Sequence, residues 1–143
     1  KAVDVAEDMP EGAVVLGSDT VVAADGKILG KPKSHEEAYE MIKRLAGRSH
    51  QVYTGVCLVK KGPEGEADTV VSFYDETDVN VSPMTEKEIR EYADSEEPMD
   101  KAGSYAVQGF FARYIEGLKG SYANVMGLPV HLVYQELKKL GAL

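Results

Sequence analysis

The residues best suited to chemistry are a few carboxylates and lysines close to glycine-rich segments. Asp19 lies between two apolar runs, where a carboxylate costs free energy unless it is hydrogen-bonded, paired or bound to a cation. Lys31 follows beyond a turn, and residues 99–109 set polar side chains among small ones that let the backbone approach a ligand. Carboxylates, lysines and such a loop suit a phosphate ester or anhydride held with Mg²⁺ or Mn²⁺, which prefer oxygen ligands.

Both Asp19 and Lys31 also have a purely structural interpretation. Asp19 follows Gly17 and Ser18, and an Asp in that setting most often caps a turn. Lys31, taken alone, is most simply a solvated surface lysine. The residue pattern by itself therefore favours a turn cap at Asp19 and leaves the catalytic interpretation open.

Other common catalytic and metal-binding patterns are missing from the sequence. The histidines His35, His50 and His131 fall in different predicted elements, and no His/Cys cluster has the spacing of a zinc site. There is no GxSxG, Walker A or GxGxxG motif. The single cysteine, Cys57, excludes a disulfide framework and is consistent with a reducing cytoplasm.

Length and charge narrow the class of protein further. The chain has 143 residues, enough for one domain, and a net charge of −8. That charge argues against a nucleic-acid or membrane-surface binder, because both need a basic face. No apolar run is long enough to span a bilayer and no secretory signal is visible, so a cytoplasmic location is expected.

The predicted elements form strands and helices joined by recognisable turns. Asp25-Gly26 predicts a tight hairpin between residues 20–24 and 27–29, and an apolar run at residues 13–16 predicts a strand that ends near Asp19. Capping-box patterns begin helices after Ser34 and Thr85. The remaining predictions are a helix tail at residues 1–7, helices over 35–46, from Thr85 to about 93 and after Pro129, a long hairpin of residues 50–60 and 69–81, and a strand at 113–118.

Taken in order, these pieces resemble the Maf family of nucleoside triphosphate pyrophosphatases. The matching segments are Lys1-Ala2, Val5-Ala6, residues 18–22, Gly30-Lys31-Pro32, residues 50–56, Glu97-Pro98, residues 100–103, Gln108-Gly109 and residues 124–129. Each segment alone is a weak signal, but their order and spacing together are specific. The resemblance favours the catalytic interpretation of Asp19.

The resemblance implies hydrolysis of a nucleoside triphosphate to its monophosphate and pyrophosphate. Asp19 matches the family's catalytic acceptor, which activates water directly or through a bound Mg²⁺ or Mn²⁺, so Asp19 is also the expected metal ligand. Lys1 and Lys31 match lysines that bind phosphates and offset developing charge. These roles are expectations from the family and do not follow from spacing alone.

Two further positions imply a substrate preference. Thr20 and Gln108 match the branch of the family that prefers dTTP and UTP, and a side-chain amide offers both a donor and an acceptor to a pyrimidine. Asp100 and Lys101 are expected to shape the same cleft, although a purely structural ion pair explains them equally well. The alternatives are the branch that prefers 7-methyl-GTP, and a nucleotide-binding regulator of septum formation without significant turnover.

The family also supplies an expected architecture. It is an α/β fold like that of inosine triphosphatases, with a mixed, twisted sheet flanked by helices around a central cleft. Residues 1–143 are expected to form one nucleotide pyrophosphatase domain that is N-terminally incomplete, because the family's S-x-S-P-R-R segment is missing. Glu96 also replaces the usual Gly before Glu-Pro. A homodimer is expected from the resemblance only.

Overall fold

The computed structural model describes residues 1–143 and is built on one five-stranded sheet. The strands are β1 (Val14–Ala24), β2 (Lys27–Leu29), β3 (Ser49–Lys60), β4 (Thr69–Val81) and β5 (Ile115–Lys119). Their order across the sheet is β2-β1-β3-β4-β5. The predicted α/β class with a helix-flanked sheet is confirmed. All neighbouring strands are antiparallel, where a mixed sheet was expected. A two-residue turn joins β1 to β2, and the loop of residues 61–68 joins β3 to β4.

The longer helices occur where the spacing of apolar residues predicted them. The helices are α1 (Ala2–Ala6), α2 (His35–Leu45), α3 (Glu86–Ala93), α4 (Tyr122–Met126) and α5 (Val130–Lys139). Three short 3₁₀ helices, Glu97–Asp100, Ala102–Ser104 and Phe110–Tyr114, were not predicted, and neither was α4. None of the helices has the length and apolar character that crossing a membrane would require.

The strand that carries Asp19 is longer than predicted. Asp19 lies inside β1 and pairs with Gly55, and its neighbours Gly17 and Ser18 also pair with β3. The prediction that a strand ends near Asp19 is therefore wrong, because backbone pairing with β3 continues through these residues whatever their side chains. The Asp25-Gly26 hairpin is confirmed, and both turn residues have the positive φ (52° and 75°) that this turn requires.

The two faces of the sheet are covered differently. The inner face carries Thr20, Val22, Val52 and Thr54, and its buried apolar residues pack with α2 and α3 in the largest hydrophobic cluster. Further along the same face, α5 covers β3 through the buried Val133. The outer face carries the alternate residues, including Asp19, and α1 covers only one end of it.

One stretch of β1 forms an edge of the sheet. The short strand β2 pairs only with residues 22–24 of β1, whereas β3 pairs with residues 14–23. Residues 14–21 therefore have a strand neighbour on one side only. At Asp19 and Thr20, β1 itself is therefore the border of the sheet.

Candidate functional site

A cavity of about 340 Å³ lies against the inner face of β1 and β3. Its walls come from those two strands, from residues 100–102 and 105–108, and from residues 125–127 after α4. This volume is near the lower end of the range for small-molecule sites. The lining is mostly apolar with a few polar groups, which suits a small planar ligand that makes specific hydrogen bonds.

Four of the residues singled out in the sequence line this cavity together. They are Thr20, Asp100, Lys101 and Gln108. Lys31 lies outside the lining but close enough to Asp100 to act on its charge. The backbone N–H of Gly103 donates to the carbonyl oxygen of Gly30 at 3.1 Å, which holds the Lys31 segment beside the loop.

Asp100 and Lys101 form an ion pair at the cavity wall. Lys101 Nζ lies 2.7 Å from Asp100 Oδ1, and this contact lowers the pKa of the Asp100 carboxyl, with a smaller contribution from Lys31. The Asp100 side chain is exposed, so the pair adds little to stability. The two residues thus both pair with each other and face the cleft.

Buried polar groups form hydrogen bonds with the hydroxyl of Thr20 on the side away from the cavity. It lies 2.9 Å from the hydroxyl of Thr54, which donates to the backbone carbonyl of Asn124 at 3.0 Å. The Asn124 side-chain amide donates to the Val52 carbonyl at 3.1 Å and to Thr77 Oγ1 at 2.9 Å. These contacts tie α4 to the sheet and fix one wall of the cavity.

Asp19 and Lys1 lie on the other side of the sheet. Successive strand residues point to opposite faces, so Asp19 points away from Thr20 and the cavity. The Asp19 side chain is exposed and makes no hydrogen bond or ion pair. The start of α1 also covers this face, because Ala2 Cβ lies 3.3 Å from where a Cβ on Gly17 would stand. Lys1 and Asp19 therefore share the outer face.

The exposed edge of β1 connects the two groups of residues. Only one strand separates the cavity beside Thr20 from the carboxylate of Asp19, and no strand covers that border. Asp19 and the cavity therefore lie on the two sides of this strand. A compact ligand confined to the cavity cannot contact Asp19.

The acidic residues do not form a site that could hold a metal ion by themselves, but they could bind a metal ion that a ligand brings with it. No cluster of three or more His, Cys, Asp or Glu side chains is arranged to hold a metal. Asp19 has free carboxylate oxygens on an exposed face, and Mg²⁺ is commonly held by one or two carboxylates together with substrate phosphates. The single carboxylate of Asp19 is compatible with a metal ion that phosphates of a ligand also bind.

Several residues at the site were not singled out from the sequence. Thr54 and Asn124 are fully buried and support Thr20, while Tyr105 lines the cavity and meets His50 Nε2 at 2.6 Å through its hydroxyl. Burial lowers the pKa of His50 to about 4. The available signal was that Thr54, His50 and Asn124 fall inside segments that match the family, although nothing local distinguished them.

A larger surface depression of about 640 Å³ lies at the β1–β2 turn and along α2. Charged side chains of both signs line it almost completely, and none of the candidate site residues is among them. It lacks the apolar lining of a small-molecule site. The smaller cavity is therefore the better candidate.

Comparisons with known proteins agree on one family. The family model described as "Maf-like protein" matches residues 1–140. A protein of Agathobacter rectalis named dTTP/UTP pyrophosphatase is 52% identical over 135 residues, which cover 92% of this chain and 64% of that protein. Proteins with the same name from Lachnoclostridium phytofermentans and Clostridium perfringens are 46% and 45% identical, covering 99% and 96% of this chain and 71% and 70% of their own lengths. The chain thus spans about two thirds of the length of the Agathobacter relative and slightly more of the others.

Proposed function

The chain belongs to the Maf family, and from this premise we propose that it acts as a nucleoside triphosphate pyrophosphatase on dTTP and UTP. The observation that carries the proposal is the cavity lined by Thr20 and Gln108, with Asp19 on the same strand as Thr20. The names of the relatives support the choice of substrate.

The base of the substrate occupies the cavity in this proposal. Uracil and thymine both present an N–H donor between two carbonyl acceptors, and the NH₂ group of Gln108 can donate to one of those carbonyls. The apolar part of the lining, including Val52 and Val125, suits the faces of a flat ring. Ribose and phosphates then extend toward the edge of β1.

Lysines guide the triphosphate past that edge. With a net charge of −8 the protein repels polyanions overall, so local cations decide where a triphosphate binds. Lys31 and Lys101 lie on the cavity side, and Lys1 lies on the side of Asp19. The triphosphate is thereby drawn from the cavity toward the outer face.

Asp19 accepts a proton from the water that attacks the α-phosphorus. The oxygen of that water bonds to the α-phosphorus, the bond from the α-phosphorus to the bridging oxygen breaks, and pyrophosphate leaves with that oxygen. Asp19 would hold Mg²⁺ or Mn²⁺ arriving with the substrate, and the ion would supply charge neutralisation there. The free carboxylate of Asp19 on an exposed face supports this role.

The decisive experiment measures pyrophosphate release by the natural polypeptide that carries this sequence. The substrates are UTP or dTTP with Mg²⁺ or Mn²⁺. The activity of the Asp19→Asn variant is expected to be lower by a factor of roughly 10² or more, because the variant lacks the proton acceptor. Asp25→Asn is the matched control, since it removes the same charge from an exposed Asp that pairs with Arg48 away from the cavity. Full activity of Asp19→Asn would contradict the proposal.

The same assay separates the alternatives. Tight UTP binding without pyrophosphate release indicates a nucleotide-binding regulator of septum formation, and faster turnover of 7-methyl-GTP indicates the other branch of the family. The expected homodimer stays a prediction from the resemblance, and the cytoplasmic location stays a prediction from the sequence. Light scattering on the purified protein tests the dimer.

A further inference from the structure

The hydrogen bonds behind Thr20 have only one consistent direction. The backbone carbonyl of Asn124 can only accept, so the Thr54 hydroxyl donates its single proton to it across 3.0 Å. Thr54 then has no proton left for Thr20. The 2.9 Å contact between the two hydroxyls is therefore donated by Thr20, and its own proton points away from the cavity.

The rest of the structure prevents this relay from reversing. Thr54 and Asn124 are both 0% exposed, so water cannot replace either partner. The Asn124 carbonyl also accepts the N–H of Gly127 at 3.0 Å. The Asn124 side-chain amide is tied to the Val52 carbonyl, an acceptor that requires the NH₂ group on that side. The direction of the relay is thus built into the fold.

The geometry points to a relay, Asn124 to Thr54 to Thr20, that makes Thr20 an obligatory hydrogen-bond acceptor toward the cavity and thereby selects pyrimidines carrying an N3–H. Uracil and thymine have that donor, whereas N3 of cytosine is an acceptor. The inference rests on the proposed function and deepens it. Thr54 and Asn124 act through Thr20, and they are positioning residues.

The Thr20 hydroxyl is reachable from the cavity. Thr20 and Gly127 both line it, and a Cβ on Gly127 would lie 3.7 Å from Thr20 Oγ1. The missing side chain at Gly127 leaves the free lone pairs of Thr20 open to a ligand. A cytosine N3 placed there would set two acceptors against each other, and sites with an unpaired polar group reject such a ligand strongly.

The first test is the ratio of kcat/KM for UTP to that for CTP. In Thr54→Val the Thr20 proton is released and can turn toward the cavity, so the ratio is expected to fall about tenfold, chiefly through KM. Thr54→Ser keeps the hydroxyl and is expected to restore the ratio. An unchanged ratio in a folded Thr54→Val variant would overturn the inference.

Thr77→Val is the matched control. Thr77 is equally buried on the same face of the sheet and, like Thr54, contacts Asn124, but its proton goes to the Ser121 carbonyl and not toward Thr20. It is expected to lower stability as Thr54→Val does while keeping the ratio of UTP to CTP within about twofold. A ratio that collapses in both variants would mean that loosening of α4, and not proton direction, causes the effect.

The unmodified protein supplies a test that requires no variant. Calorimetric binding of uridine is expected to be at least about tenfold tighter than that of N3-methyluridine or cytidine, because both lack the donor. Equal binding of uridine and cytidine overturns the relay even if UTP is hydrolysed. Absence of pyrophosphate release with preserved uridine selectivity overturns the proposed catalysis and leaves the relay standing.

Discussion

At the scale of single residues, burial makes His50 sensitive to acid. Its side chain is 1% exposed, and its Nε2 meets the Tyr105 hydroxyl at 2.6 Å while its Nδ1 has no hydrogen-bond partner. Burial lowers the pKa of His50 from 6.5 to about 4, and the opposing charge of Asp78 offsets only part of this. The folded protein therefore keeps His50 neutral at pH values where the unfolded chain protonates it.

We expect the free energy of unfolding to decrease as pH falls from 6.5 to about 4. Across that range the unfolded chain binds more protons than the folded one, so acid favours unfolding by up to about 3 kcal/mol through this group. Urea denaturation at several pH values measures the slope.

The double variant His50→Phe/Tyr105→Phe isolates this contribution, because it removes the titrating ring and the hydroxyl it would leave unpaired. Its slope below pH 6.5 should be shallower than that of the parent. Identical slopes in the two proteins would show that other groups cause the acid sensitivity.

At the scale of elements, the two predicted capping boxes turn out to differ. Thr85 accepts from the N–H of Glu88, and the Glu88 carboxylate accepts from the N–H of Thr85, which completes the box at α3. At α2, Ser34 accepts from the N–H of Glu37 at 3.1 Å without the reciprocal bond. The start of α3 is thus held by two bonds and that of α2 by one.

Glu88→Ala is therefore expected to destabilise the protein by about 0.5–1 kcal/mol and Glu37→Ala by less, because only the Glu88 carboxylate accepts the backbone N–H of its cap residue. The measurement is the difference in free energy of unfolding by urea between each variant and the parent. A larger loss for Glu37→Ala would contradict the reciprocal geometry at α3.

The loop beside the cavity depends on one glycine. Gly103 has φ 71°, and a Cβ there would lie 2.8 Å from Val22 Cγ1 in the core. Gly103→Ala is expected to cost about 1–3 kcal/mol, because both the backbone conformation and the packing oppose it. Gly30→Ala is the matched control, since its Cβ would meet nothing within 4 Å and its φ is not positive. Comparable losses in thermal midpoint for both variants would refute this explanation.

At the scale of the whole molecule, the sheet separates the residues that line the cavity from Asp19. Thr20 and Gln108 line the cavity on one side of β1, and Asp19 lies on the other. Uridine has no phosphates, so in the proposed binding mode it contacts only the cavity. Its dissociation constant should therefore stay within about twofold in Asp19→Asn and weaken in Thr20→Val, as calorimetry can measure. Loss of uridine binding in Asp19→Asn would show that the Asp19 carboxylate contributes to binding in the cavity, and would contradict this separation.

Much of the architecture was predictable because it depends on local patterns. Apolar spacing indicated α2, α3 and the long hairpin of β3 and β4, and Asp25-Gly26 indicated the first hairpin. These features follow from helical and strand periodicity and from turn chemistry, which act over a few residues. The order of short motifs was likewise sufficient to recognise the family.

Other features depended on pairing between distant segments and emerged only in three dimensions. Asp19 and Thr20 are neighbours in the sequence, yet strand geometry sends them to opposite faces once β3 extends β1 through them. The open border at residues 14–21 results from the short reach of β2. The relay from Asn124 to Thr20 exists because α4 packs on β3, and no local pattern in the sequence encodes that contact.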